Sequence, residues 1–343
     1  MIITLKDDMK PEQYTSLLER IKSKGFEANF DRGKEATVIG IRGDTRRIEE
    51  NYFMVDGVKS VKRVSKRWKE VSREFKNADT IVDVSGVKLG NGYFNVIAGP
   101  CSVESEEQIM DVAEKVKKAG ATLLRGGAFK PRSSPYDFQG LGEPALEILV
   151  KARDKFNLPI VTEIMEAEHL ELFSTYDIDM YQVGARNMQN FNLLKKLGSI
   201  NKPVLLKRGL SGTIDEWLSC AEYIVANGNP NVVLCERGIR TFETAYRNVL
   251  DLNAVAYVKE VSHLPIIVDP SHATGKLSLV PDMSKAAVAA GAHGLLLEVH
   301  PDPKNALSDA NQQLTPEEFS KLMKDITLLS DIINIQRQTA SLI

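Results

Sequence analysis

Cysteine is scarce. The 343 residues hold only Cys101, Cys220 and Cys235, too few for the disulfide framework of a secreted domain, which points to a reducing compartment. Net charge is scarce too. Lys and Arg total 44 against 46 Asp and Glu, so nothing global draws the chain to nucleic acid or membrane, and any basic site must be a local cluster. No uninterrupted apolar run of about 20 residues exists, which excludes a transmembrane helix. The opening stretch, MIITLKDDMK, carries charges where a signal peptide needs an apolar segment. A cytoplasmic protein without nucleic-acid or membrane partners is the expectation. What is present is an ordinary apolar fraction of 43% and length for an α/β barrel of about 250 residues plus a small domain.

Residues 1–66 read as βαββαβ. Strands are expected at Met1–Lys6, Phe26–Phe30, Ala36–Ile41 and Val58–Val64, with helices at Glu12–Lys24 and Thr45–Phe53. Pro11 suits the first helix's start and Gly25 its end. This order fits a small ferredoxin-like α+β domain, a build used for amino-acid sensing, and only fold analogy supports that role here. Lys66, Arg67, Lys69, Arg73 and Lys76 then outnumber Glu70 and Glu74. Without interleaved aromatics, residues 67–79 read as a solvated linker rather than a nucleic-acid contact. A hairpin, Thr80–Val84 with Val87–Leu89, opens the main domain, residues 80–343.

From Tyr93 onward, short apolar runs alternate with helical stretches. The runs are Phe94–Ala98, Thr122–Leu124, Pro159–Thr162, Met180–Val183, Pro203–Leu206, Val232–Leu234, Pro265–Val268 and Gly294–Leu297. Helices are expected at Glu106–Lys118, Glu143–Phe156, Glu166–Ser174, Ile214–Ala226, Phe242–Asp251 and Met283–Ala290. Eight βα units in series predict a (β/α)8 TIM barrel. A doubly wound open sheet is disfavoured by the strand count and by the missing glycine-rich fingerprint after the first strand.

Each strand is followed by a group able to do chemistry: Cys101; Arg125 then Lys130; Glu163; Arg186; Lys207; Glu236 and Arg237; Asp269 and His272; Glu298. In a parallel barrel all of these open on one face. Taken singly, each suits a surface or ion-pair role; a run through all eight strands is poorly explained by coincidence. Arg125, Lys130, Arg186, Lys207 and Arg237 would repel one another, so the site calls for a multiply charged anion such as a molecule bearing phosphate and carboxylate. The bland alternative is internal neutralisation by Glu163, Glu236 and Asp269. Lys130-Pro131-Arg132-Ser133-Ser134-Pro135 offers a second phosphate loop, although Ser-Pro segments also simply turn chains. Strands one, seven and eight are contiguous around a closed barrel, so Cys101, His272, Glu298 and Asp309 can reach a common point. That donor mixture suits Mn²⁺, Fe²⁺, Co²⁺ or Zn²⁺. Spacing leaves the metal open, since a lone Cys is commonly a buried small hydrophobe and a lone His commonly just hydrogen-bonded.

Several motifs carry a family resemblance. Ala98-Gly99-Pro100-Cys101-Ser102-Val103-Glu104, Leu124-Arg125-Gly126-Gly127-Ala128-Phe129-Lys130-Pro131-Arg132 and Gln139-Gly140-Leu141-Gly142 resemble the 3-deoxy-D-arabino-heptulosonate 7-phosphate (DAHP) synthases. So do Gln182-Val183-Gly184-Ala185-Arg186-Asn187, Leu206-Lys207-Arg208-Gly209, Cys235-Glu236-Arg237-Gly238, Val268-Asp269-Pro270-Ser271-His272 and Glu298-Val299-His300-Pro301. The N-terminal module resembles the microbial subgroup with a ferredoxin-like regulatory domain. The resemblance implies condensation of phosphoenolpyruvate with D-erythrose 4-phosphate and water to DAHP and phosphate, the entry to aromatic amino acids. It implies metal ligation by Cys101, His272, Glu298 and Asp309. A phosphoenolpyruvate clamp would comprise Arg125, Lys130, Ala185, Arg186, Lys207 and Arg237, and a sugar-phosphate loop Pro131, Arg132, Ser133 and Ser134. Lys130, Glu163 and His272 are the implied catalytic groups, and a homotetramer the implied assembly. Asn29 and Asp31 occupy the segment where related domains hold an aromatic amino acid, an expected allosteric effector. Ser133 departs mildly from the threonine often found there. The rival is 3-deoxy-D-manno-octulosonate 8-phosphate synthase, using arabinose 5-phosphate, whose loop resembles Lys-Ala-Asn-Arg-Ser rather than Lys130-Pro131-Arg132-Ser133. Further alternatives are a Schiff-base aldolase using Lys207 and an amino-acid sensor whose barrel has lost its chemistry.

Overall fold

The computed structural model describes the chain apart from residues 33–36, 44, 46, 64–65, 132–133 and 341–343, and apart from the side chains of residues 31, 32 and 334–340. Two compact units emerge: Met1–Asp79 with Glu260–His263, and Thr80–Lys259 with Leu264–Ile343.

In the first unit, β1 (Ile2–Leu5), β2 (Glu27–Arg32), β3 (Thr37–Arg42) and β4 (Val58–Lys62) form an antiparallel sheet of order β2-β3-β1-β4, accompanied by the helix α1 (Pro11–Ser23). This is the ferredoxin-like strand order. Ile3, Leu17, Ile21, Ile39, Ile41 and Phe53 make its core. Where a helix is expected at Thr45–Phe53, the described residues form no α-helix, and a single 3-10 turn, Glu50–Phe53, stands there instead. Arg63 supplies the reason. Its Nη1 and Nη2 donate to the Thr45 and Ile48 carbonyls at 2.9 and 2.6 Å, taking acceptors that a helix would need.

The expected solvated linker is also corrected. Trp68, Glu70, Val71, Ser72 and Phe75 are buried. Phe75 packs with Ile2 on the sheet's second face, so close to Gly40 that a Cβ there would meet its ring at 2.9 Å. Glu70 takes Arg42 as a two-pronged partner and accepts from Asn29 Nδ2 at 2.6 Å. Alternating charges hid an apolar stripe at Trp68, Val71 and Phe75, spaced as one face of a turn-rich segment.

The second unit begins with a hairpin, β5 (Val82–Val84) and β6 (Val87–Leu89). A closed parallel barrel follows in chain order: β7 (Asn95–Gly99), β8 (Leu123–Arg125), β9 (Ile160–Glu163), β10 (Met180–Val183), β11 (Val204–Lys207), β12 (Val232–Glu236), β13 (Ile266–Val268) and β14 (Gly294–Glu298), which returns to β7. Nearly every strand residue is buried, as expected for strands covered on both faces. Inward-facing Ile97, Leu123, Val161, Met180, Leu205, Val233, Ile267 and Leu296 fill the barrel. The hairpin's Val82, Val84 and Leu89 join that cluster. Asn95, at the start of β7, donates to the Lys88 carbonyl at 2.7 Å, so the hairpin closes the end where the strands begin. That leaves the opposite mouth open for chemistry.

The intervening helices are α2 (Glu106–Lys118), α3 (Glu143–Phe156), α4 (Leu170–Thr175), α5 (Phe191–Gly198), α6 (Ile214–Ala226), α7 (Leu252–Val261), α8 (Pro270–Thr274), α9 (Val280–Ala289) and α10 (Pro316–Ala340). Ser105 caps α2, and Thr213 with Glu216 forms a capping box on α6. The helix expected at Phe242–Asp251 is not formed; α7 begins at Leu252. Amides in that stretch are drawn elsewhere: Arg247 and Asn248 donate to the Thr274 and Ala273 carbonyls, and Val249 pairs with Ile239. The result is an irregular loop over the barrel mouth, with Phe242 almost fully exposed.

Candidate active site

The barrel's parallel register delivers the reactive groups to one end. Arg125, Glu163, Lys207, Glu236 and Glu298 are the last residues of β8, β9, β11, β12 and β14. Cys101 lies just past β7, Asp269 just past β13, and Ala185 and Arg186 just past β10. Gly99 is needed where it stands, because a Cβ would fall 2.0 Å from the Arg125 carbonyl oxygen.

Four donors from distant parts of the chain converge. One ligand atom each of Cys101, His272, Glu298 and Asp309 lies within 4.8 Å of all the others. His272 Nε2 is 3.3 Å from Glu298 Oε1 and 3.7 Å from Asp309 Oδ2, and Cys101 Sγ is 3.4 Å from Asp309 Oδ2. The other ring nitrogen, Nδ1, rests 2.7 Å from Asp269 Oδ2, which turns Nε2 toward the cluster. Asp269 also receives the His272 backbone N–H at 2.9 Å and faces Lys207 Nζ at 2.5 Å.

The protonation states suit a cation. Burial works upward on Asp309, yet His272, Arg247 and Lys130 hold its carboxyl down at about 2. Burial likewise opposes charge on Glu298, but His272 and Arg125 keep it below the usual carboxylate range. Burial lowers His272, leaving it neutral, despite the pull of Asp269 and Glu298. Burial, with Glu298 next, pushes the Cys101 thiol up to about 12. Two carboxylates, a neutral imidazole and a buried sulfur form a donor set that fits a borderline divalent ion.

Beside this cluster lies a cavity lined by Lys130, Pro131, Glu163, Ala185, Arg186, Lys207, Arg237 and Arg247, among others. The cations are not equivalent. Arg125 is buried beneath the cavity, 2.5 Å from Glu298 Oε1. Lys207 is paired with Asp269, and Arg247 stands 3.6 Å from Asp309. Glu236 neutralises Arg208, at 2.9 Å, rather than any of the five expected cations. Lys130, Arg186 and Arg237 form no carboxylate ion pair among the described residues. Lys130 Nζ donates to the Cys101 carbonyl and sulfur, each at 3.0 Å. Arg237 Nη2 donates to the His272 carbonyl at 3.2 Å, while Nη1 is buried without a hydrogen-bond partner. Burial therefore pulls the Arg237 pKa down, whereas that of Arg125, opposed by burial but held by Glu298, is raised. An unsatisfied buried guanidinium nitrogen beside a free arginine is what an incoming anion would complete.

Comparison with known proteins accords with this geometry. The DAHP synthetase I family model matches residues 70–331, and the DAHP synthase ferredoxin-like domain matches residues 1–66. The chain belongs to the DAHP synthetase I family. It is 50% identical over 337 residues to phospho-2-dehydro-3-deoxyheptonate aldolase of Thermotoga maritima, covering 98% of this chain and 99% of that one. The crystal structure of that DAHP synthase superposes with a TM-score of 0.78 at 49% identity, covering 97% and 98% of the two chains. A 2-dehydro-3-deoxyphosphooctonate aldolase of Coxiella burnetii is more distant, 30% identical over 266 residues, 72% of this chain and 93% of that one.

Within this DAHP synthetase, the structure places the remaining expected residues unevenly. Pro131 lines the cavity. Ser134 uses its Oγ locally, accepting from the Tyr136 amide at 3.2 Å, and Arg132 and Ser133 lie outside the described residues. Glu163 accepts from Gln182 Nε2 at 3.2 Å and fits against Gly184, where a Cβ would sit 2.0 Å from its Oε1. Asn29, in the other unit, spends its amide on Glu70. The Asp31 backbone belongs to β2, and its side chain lies outside the described residues. Arg208, Arg247, Gln312 and Gln313 escaped the sequence reading. Arg208 was masked by its neighbour Lys207, Arg247 by the expected helix, and the two glutamines because neutral amides carry no charge signal.

Proposed function

We propose that the chain condenses phosphoenolpyruvate with D-erythrose 4-phosphate and water to give DAHP and phosphate, the first step of the shikimate pathway. The observation that carries this reading is the barrel-mouth cavity holding Lys130, Arg186 and Arg237 without carboxylate partners beside the four-donor cluster. Phosphoenolpyruvate bears a phosphate and a carboxylate, the two groups such cations grip. Pro131, Arg132, Ser133 and Ser134 would hold the sugar phosphate. Full-length similarity to the Thermotoga enzyme supports the four-carbon acceptor over arabinose 5-phosphate. A Schiff-base route is disfavoured by Lys207, whose amine is locked against Asp269.

Cys101, His272, Glu298 and Asp309 would hold a divalent ion: Mn²⁺, Fe²⁺, Co²⁺ or Zn²⁺. When bound, it supplies Lewis-acid polarisation of the aldehyde oxygen. The chain's own groups handle substrate and protons. Arg186, Arg237 and Lys207 orient phosphoenolpyruvate so that its C3 faces the aldehyde carbon. As the new C–C bond forms, Lys130 gives a proton to the aldehyde oxygen. Water adds at C2, one of its protons taken by Glu163, and the C2–O bond to phosphate then breaks as the new C2 hydroxyl passes its remaining proton to the departing phosphate, leaving the ketone. Lys130 can do this because it stays charged: burial opposes the charge, and the carboxylates of Glu298 and Glu163 hold it.

The ferredoxin-like unit is proposed to regulate activity by taking up an aromatic amino acid near Asn29 and Asp31, in a cytoplasmic homotetramer. Phosphate release with phosphoenolpyruvate and erythrose 4-phosphate, before and after chelation, tests the main reading. Arabinose 5-phosphate serves as the competing acceptor. Turnover with arabinose 5-phosphate alone would replace the reading with its rival.

A further inference from the structure

Beyond the four donors, the chain after Asp309 pins itself to the end of β14. Val299 bridges to Leu314, the Leu314 amide donates to the Glu298 carbonyl at 2.9 Å, and the His300 amide returns to the Leu314 carbonyl at 2.9 Å. This short pairing carries two consecutive buried amides, Gln312 and Gln313, into the floor of the site. Gln312 Nε2 donates to Glu298 Oε2 at 2.6 Å, and its Oε1 accepts from Arg247 Nη1 at 3.1 Å. Arg247 in turn stands 3.6 Å from Asp309 Oδ1. Gln313 Oε1 accepts the Cys101 backbone N–H at 3.0 Å, and its Nε2 donates to the Ser308 carbonyl, next to Asp309, at 2.9 Å.

Which way each amide points follows from its partners. A carboxylate can only accept and a guanidinium can only donate, so Gln312 must turn its nitrogen to Glu298 and its oxygen to Arg247. A backbone N–H and a carbonyl fix Gln313 equally. Both side chains therefore spend their hydrogen bonds on cluster residues or on groups bonded to them. Packing alone would not require this, since the same volume could be filled by leucine without burying four polar atoms.

We infer that Gln312 and Gln313 are positioning residues that hold the donor cluster in its metal-ready arrangement, Gln312 through Glu298 and Arg247, Gln313 through Cys101 and the Asp309 backbone. The inference rests on the four donors forming a metal site. Gln312 leaves Glu298 Oε1 to face His272 and Arg125 by occupying Oε2. Gln313 sets the distance between the strand-one donor and the loop donor, which have no covalent link shorter than the intervening barrel.

The test is calorimetric titration of Mn²⁺ into the metal-free full-length chain, with melting of the same metal-free protein alongside. Gln312→Ala and Gln313→Ala should each weaken Mn²⁺ binding about 10- to 100-fold, the range for lost partners behind metal ligands. The near-isosteric Gln312→Glu, which keeps the volume but sets a carboxylate against Glu298, should weaken it as well. Gln313→Glu keeps the acceptor for the Cys101 amide and should lie between wild type and Gln313→Ala. With Co²⁺ as probe, Gln313 variants should alter the thiolate-to-metal charge-transfer band, while Gln312 variants should retain it. Wild-type affinity in all four variants would overturn the inference while leaving the metal site intact. A melting temperature that falls in step with affinity would overturn it too, by making the amides merely structural. Failure of the wild-type chain itself to bind Mn²⁺ or Co²⁺ would sink the metal site and the inference together.

Discussion

Titrating Mn²⁺ into the metal-free chain should release about one proton per ion near pH 7.5, and that proton should come from Cys101. The thiol is surrounded by Lys130, Arg125, Glu298 and Asp309, and burial pushes it up to about 12. It is therefore protonated in the empty site, whereas a metal ligand must be thiolate. The other donors have nothing to give. Asp309 is held at about 2, Glu298 lies below the usual carboxylate range, and His272 is kept neutral by burial. At pH 7.5 the thiol is roughly 4.5 pH units from ionising, so about 6 kcal/mol of the intrinsic metal affinity goes into removing its proton. The apparent association constant should then rise about tenfold per pH unit from pH 6.5 to 8.5. Calorimetry in two buffers of different ionisation enthalpy counts the proton directly. Mn²⁺ is preferred because its bound water stays un-ionised in this range. Cys101→Ala should bind more weakly and release almost none. A wild-type count near zero would mean that the thiol is already ionised or is not a ligand. A count near two would mean that His272 starts out protonated.

Four further outcomes are expected. Arg237→Ala removes the guanidinium whose Nη1 awaits a partner and should lower kcat/KM for phosphoenolpyruvate about 10- to 150-fold, as losing a charged hydrogen bond of about 1.5–3 kcal/mol implies; Mn²⁺ affinity measured alongside should hold. Glu163→Gln should cut kcat by about 10²–10⁴ if that carboxylate takes the water proton, and near-normal turnover would remove it from the scheme. His263, buried 2.7 Å from the Glu70 carbonyl, is lowered to about 4 chiefly by burial. The unfolded chain therefore binds a proton that the fold refuses between pH 6.5 and 4. Stability should fall by up to about 3 kcal/mol as pH drops through that window, and urea midpoints for wild type and His263→Gln should converge if the reasoning holds. Tyrosine or phenylalanine should inhibit phosphate release, and a variant truncated before Thr80 should escape that inhibition; equal inhibition of both would remove the ferredoxin-like unit from regulation.

The barrel, and the face on which its chemistry opens, are legible in the local pattern of the chain. Period and strand count are local properties, and parallel closure converts one charged residue after each apolar run into a convergent set without further information. The sequence also contained the four donors by residue type, although only closure of strand eight against strand one brings Cys101 within reach of Glu298 and Asp309. Tertiary structure alone decided how charge is distributed among the cations. Lys207 and Arg125 are paired with Asp269 and Glu298, Glu236 is diverted to Arg208, and Lys130, Arg186 and Arg237 are left without a carboxylate partner among the described residues. These pairings depend on distances between strands that are remote in sequence. The same applies where local pattern misled. Arg63 takes the carbonyls a second ferredoxin-like helix required, and contacts with residues 273 and 274 draw residues 247–248 out of a helix. The basic stretch around Trp68 and Phe75 is folded onto the sheet because its apolar stripe finds Ile2 there. Gln312 and Gln313 were invisible for the most general reason: an amide has no charge or period to betray it, and its meaning lies wholly in which partners the fold sets at its two ends.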